Sequence, residues 1–163
     1  MDDGALLADF RGLAEEYVAL IDTAEHGETL LAELASLLPR LYSTATNLPD
    51  ARPEGDEEPA RESRFEDWQL IGGRLDRLLG DHDLYWAIDP TGTAEQEPIA
   101  GSLSDDLADI YLDLNDGLRL LAAGGPVADA VWEWRFAFWS HWGAHAADAI
   151  RVIHARMGGE HRE

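Results

Sequence analysis

The chain of 163 residues contains no cysteine and no lysine; its twelve basic residues are all arginine and face thirty-three acidic ones, for a formal charge of -21. Each absence excludes something. Without cysteine there is no disulfide framework, no thiolate metal site and no thiol nucleophile, and a reducing compartment suits the chain. So large a deficit of basic charge argues against a nucleic-acid binder or a protein held on anionic membranes, because both need a cationic footprint to displace counterions. The opening MDDGALLADF lacks a basic stretch ahead of an apolar one, so no secretory signal is expected. In the aromatic C-terminal part, the longest uncharged run, 136–147, contains Ser140, His141 and His145 and falls short of the roughly 20 apolar residues a membrane helix needs. The cytoplasm is the expected location. A glycine-rich phosphate loop, a nucleophile elbow and a serine–histidine–aspartate string are missing as well.

What is present suits a packed core: 45% of residues are hydrophobic and 9% aromatic, at a length that fits one domain, 1–163. Apolar residues recur every three or four positions, the helical period. One stripe runs Leu6, Phe10, Leu13, Tyr17, Leu20, Ile21; a second runs Leu30, Leu34, Leu37, Leu41, Ala45, with Pro39 inside it expected to kink or split the helix. The segment 50–62 has proline, glycine and charge but no apolar anchor, and reads as a mobile acidic linker. Ser63 with Glu66 forms a capping-box pattern ahead of Phe65, Trp68, Ile71, Leu75, Leu78 and Leu79, with Gly80 placed to stop that helix. No period is visible over 81–101, which reads as a long loop with a turn at Asp89-Pro90-Thr91-Gly92. Ser104 is the expected N-cap of a fourth helix carrying Leu107, Ile110, Tyr111, Leu114, Leu118 and Leu121. The last helix, about 126–157, opens on Pro126 and is apolar on most of its circumference, as the buried centre of a bundle would be. The expected fold is an all-α bundle of about five helices with a buried, Trp-rich C-terminal helix.

Two constellations carry chemistry. Asp105, Asp106 and Asp109 spell DDxxD, extended by Asp113 and Asp116 along the fourth helix. Such a row offers oxygen ligands to Mg²⁺ or Mn²⁺. Its structural alternative is first-turn charge stabilising the helix dipole, about 0.3–1 kcal/mol each, followed by an ordinary wet face. His141, His145 and Asp148 form the second. Histidines at i and i+4 share a helix face and can share a metal, with Asp148 as third ligand or as partner fixing a tautomer. The structural alternative is a His–Asp network tying the last helix to the fourth. A polar cluster of Asp106, Asp109, Asp113, His141, His145 and Asp148 follows, with Asp109, Asp113, His145 and Asp148 as the candidate metal ligands. His154 reads as a surface or packing residue. Tyr85, Trp86, Trp134 and Trp142 are the aromatic residues from which a pocket can be built.

The strings SDDLADIYLDLNDGL at 104–118 and WEWRFAFWSHWGAHAADAIRVIH at 132–154 resemble a bacterial family of small proteins known as a domain of unknown function. LLPRLYSTATNLPD at 37–50 and LYWAIDP at 84–90 are similar to the same family's other markers. The resemblance implies a mainly helical, cytoplasmic protein and carries no activity with it. More distantly, DDLADIYLDL is similar to the carboxylate helix of MazG-type all-α nucleotide pyrophosphohydrolases. Their other helix carries EExxE, whereas here Glu15 and Glu16 are followed by Ala19, so the third carboxylate is missing.

The leading expectation is a non-enzymatic bundle acting through protein contacts, with a basic protein as the partner that the charge favours. The alternative is a divalent-metal-dependent phosphoester or nucleotide hydrolase, in which Asp106, Asp109, Asp113, His145 and Asp148 bind an ion that activates water. That alternative requires the fourth and last helices to face each other. A third reading, a pocket binder, requires an apolar cavity under 81–101.

Overall fold

A computed structural model describes residues 3–55 and 64–160. Its helices are α1 (Asp3–Thr23), α2 (Gly27–Ala45), α3 (Arg64–Leu79), α4 (Leu103–Ala122), α5 (Val127–Ala137) and α6 (Gly143–Glu160). A π turn, Phe138–Trp142, joins α5 to α6 without leaving helical backbone, so the described residues form five helical runs. Among the described residues no helix is long and apolar enough to cross a membrane.

The periodic stripes become the core. Phe10, Leu13, Tyr17 and Ile21 of α1 and Leu30, Leu34, Leu37, Leu38 and Leu41 of α2 are buried. Pro39 removes one backbone donor, yet α2 runs unbroken past it rather than splitting. The central helix is α4, packed against α1, α3, α5 and α6. The last helix has the buried, Trp-rich side expected of it, together with a second side that is open. Trp134, Phe138, Trp142, Ala146 and Ala149 are buried, while Phe136 and Trp139 on the other side are exposed.

The buried positions 130, 134, 138, 142 and 146 step by four. At about 100° per residue each such step overshoots a full turn by roughly 40°, so an ideal helix would carry the stripe out of the core. The wider π turn absorbs that drift, with the Gly143 N–H bonded to the Phe138 carbonyl five residues back. A Cβ at position 143 would collide with that carbonyl oxygen, which accounts for glycine there.

The stretch read as a loop, 81–101, is partly ordered. After a 3₁₀ turn (Gly80–His82), β1 (Leu84–Ala87) pairs antiparallel with β2 (Ile99–Ser102), placing Leu84 opposite Ser102 and Trp86 opposite Ala100. Four-residue strands are too short to display a period, which is why the sequence hides them. The N-cap of α4 is Ser102, two residues before the expected Ser104: its Oγ accepts from the Asp105 N–H at 3.3 Å. Ser104 is buried instead, its N–H donating to Asp83 at 2.6 Å. Of the acidic linker, residues 50–55 are non-helical and the N–H groups of Glu54 and Gly55 donate to Asp129. The remainder of 50–62, and the capping residue Ser63, lie outside the described residues.

Candidate functional site

The face between α4 and the π-turn/α6 segment gathers the polar residues. Helical spacing puts Asp106, Asp109 and Asp113 on the side of α4 that meets His141 and His145. Asp106 and Asp113 are buried, each 6% exposed, although the wet-face alternative would have Asp113 in water. Each carboxylate takes one imidazole: His141 Nδ1 lies 2.6 Å from Asp113 and His145 Nδ1 lies 2.8 Å from Asp106. The remaining oxygens are also occupied. Tyr85 donates to Asp106 at 2.6 Å from the hairpin, and Arg64, the first residue of α3, pairs with both Asp113 and Asp116.

With Nδ1 donating to a carboxylate, a neutral imidazole presents its Nε2 lone pair outward. His145 Nε2 lies 3.5 Å from Asp109, and the two imidazole rings are 4.8 Å apart, edge to face. Ligand atoms of Asp109, His141 and His145 all fall within 4.8 Å of one another. A tetrahedral ion with bonds of about 2.1 Å needs its ligands roughly 3.4 Å apart, so the three side chains must draw together slightly around it. His141 and His145 are 43% and 29% exposed.

The bond to Asp106, reinforced by Asp109 and Asp113, holds the His145 imidazole above its ordinary pKa against the opposite pull of burial. Burial raises the Asp109 carboxyl, with the two histidines acting the other way. Burial and the Asp106 contact push the Tyr85 hydroxyl far up, so it remains a donor. Burial opposes the Arg64 charge, but Asp113 and Asp116 outweigh it and the guanidinium stays protonated.

Of the residues singled out in the sequence, Asp106, Asp109, Asp113, His141 and His145 come together. The grouping of close ligand atoms contains two of the four candidate ligands, Asp109 and His145. Asp113 is spent on Arg64 and His141, and Asp148 is turned toward Arg151, 3.8 Å away, and is 46% exposed. His141 takes their place beside Asp109 and His145. Nor do the four pocket aromatics line one cavity. Trp134 and Trp142 have no exposed surface, Trp86 stands 71% exposed on the hairpin, and Tyr85 points at Asp106. Arg64 escaped sequence reasoning because it follows the acidic linker and has no local pattern linking it to Asp113, 49 residues on.

Beside Asp109 opens a cleft of about 490 Å³ between α3 and α4, lined by Arg64, Phe65, Trp68, Asp109 and Leu112. A second concavity, about 260 Å³, lies on the other side of Arg64 and reaches His141 and Phe136.

The profile of a family described as a domain of unknown function, DUF5063, matches residues 3–157. Among solved structures the chain is similar to the crystal structure of protein BF1032 from Bacteroides fragilis, a structural-genomics target. The two are 26% identical with a TM-score of 0.77, over 90% of this chain and 89% of that one. No curated protein matches. Neither description states an activity.

Proposed function

The chain belongs to this family of domains of unknown function, and we propose that it is a divalent-metal-binding helical bundle whose ion is held by Asp109, His141 and His145. The observation that carries the reading is the pair of imidazoles whose Nδ1 atoms are fixed by buried carboxylates, Asp113 and Asp106, beside a third carboxylate. This is the arrangement by which proteins orient metal-binding histidines. Two nitrogens and one oxygen suit Zn²⁺, Co²⁺, Mn²⁺ or Fe²⁺ better than Mg²⁺, which takes oxygen ligands and keeps its waters. Three protein ligands leave further positions to solvent or to a bound molecule.

The test is titration of chelator-treated protein with Co²⁺, followed by its visible absorption, and with Zn²⁺ by calorimetry. One equivalent of either ion should bind the wild type, with affinity falling as pH drops because protons compete for the imidazoles. His141→Gln and His145→Gln should each weaken binding at least tenfold. Asp148→Asn should leave it unchanged. Binding that survives both histidine substitutions, or none in the wild type, overturns the reading.

A second reading, contact with a basic protein, is favoured by one observation. The outer side of α5 and the π turn exposes Phe136 at 53% and Trp139 at 65% on a chain of charge -21. Trp132 stacks on Phe136 at 5.1 Å, and exposed rings on an acidic chain attract guanidinium and ammonium groups. A basic amphipathic peptide should bind the wild type and lose most of its affinity to a Phe136→Ser, Trp139→Ser variant. Equal affinity for the two proteins removes this reading.

A further inference from the structure

The α3–α4 cleft shares Asp109 with the metal reading, but its chemistry is its own. Its volume, about 490 Å³, lies within the range of about 300–1,000 Å³ that small-molecule sites occupy. One wall is aromatic: Phe65 and Trp68 lie parallel, 12° between planes and 6.3 Å between centroids. Leu112 supplies apolar surface, and among the described residues the polar side chains lining the cleft are Arg64 and Asp109. Arg64 spends two of a guanidinium's five N–H donors on Asp113 and Asp116. A carboxylate such as Asp109 offers about four acceptor sites and has no donor when ionised. The cleft therefore presents a donor beside an acceptor, next to flat aromatic surface.

We propose that this cleft binds an uncharged planar heterocycle carrying an amide-type edge, with its carbonyl accepting from Arg64, its ring N–H donating to Asp109 and its ring stacked on Trp68. Charge decides against an anion. Asp113 and Asp116 hold Arg64, Asp109 lines the same cleft, and the whole chain carries -21, so a carboxylate or phosphate meets net repulsion. A flat ring is selected over an aliphatic one because only a π face gains from stacking on the indole. The ion is not needed for these contacts, since Asp109 can direct one oxygen to a metal and the other to the ring.

The test is an NMR titration of ¹⁵N-labelled protein in chelator, observing the Trp68 indole N–H, with three probes: 2-pyridone, its saturated counterpart 2-piperidone, and benzoate. 2-Pyridone should shift the Trp68 signal saturably and bind about tenfold more tightly than 2-piperidone. Benzoate should leave the signal unmoved. Trp68→Leu should cost most of the 2-pyridone affinity while leaving zinc binding, measured separately, as in the wild type. Equal binding of the two lactams, tighter binding of benzoate, or a Trp68→Leu variant that binds 2-pyridone normally each overturn the proposal. Wild-type protein that takes no zinc but binds 2-pyridone overturns the metal reading alone, and the converse result overturns the cleft proposal alone.

Discussion

His145 donates through Nδ1 to a buried carboxylate and faces a second carboxylate through Nε2, so protonating it costs less in the folded chain than in the unfolded one. Its folded pKa stands above the unfolded value of about 6.5. The stability it contributes is therefore complete below about pH 6.5 and disappears as pH rises through the folded pKa. Asp109, also raised, has the same sign in the carboxylate range, where ionising it costs stability as pH increases. Two comparisons in chelator separate the histidine from the rest of the acidic surface. The urea midpoint of the wild type should exceed that of His145→Gln at pH 6 by an amount equivalent to about 2 kcal/mol, the worth of a charge-assisted hydrogen bond. The gap should narrow by pH 9. A gap that widens with pH would mean the imidazole is neutral and acts only as a donor in the folded chain.

At the scale of elements, the site depends on how the last helix is wound. His141 lies inside the π turn and His145 beyond it, so that turn sets the angle at which the two rings meet over Asp109. Gly143→Ala drives a methyl into the Phe138 carbonyl and should force the turn to rewind, costing about 1–3 kcal/mol. It should also weaken zinc binding at least tenfold. Gly158→Ala, in the same segment with open space around it, should be neutral or stabilising by up to about 1 kcal/mol. Calorimetric melts of the two variants, with zinc titrations beside them, check the contrast, and equal behaviour would remove the role given to the turn. The same turn shows where sequence reasoning stops. The i, i+4 spacing of His141 and His145 and the row of α4 were legible because helical period alone places them on facing sides. The π turn was not, since it arises from a four-residue step repeated against a packed core. Tyr85 and Arg64 were not legible either, because their roles are fixed by long-range contacts with Asp106 and Asp113 that leave no local pattern.

The whole molecule carries far more acid than its arginines can neutralise. The ion pairs at Arg11, Arg40, Arg119, Arg135 and Arg151 each involve an arginine at least 40% exposed. Pairs of that kind are worth about 0–1 kcal/mol and weaken in salt. Against them stands the mutual repulsion of a net -21, most of it at the surface. Salt shortens the screening length from about 30 Å at 0.01 M to about 10 Å at 0.1 M, so the long-range repulsion is relieved first, while contacts of a few ångströms persist. Repulsion should win, and the folded state should gain from salt. Raising NaCl from 0.01 to 0.5 M in chelator should lift the melting temperature by about 3–8 °C, the shift that roughly 1–2 kcal/mol produces in a domain of this size. A melting temperature that stays flat or falls would show that the exposed ion pairs outweigh the excess charge.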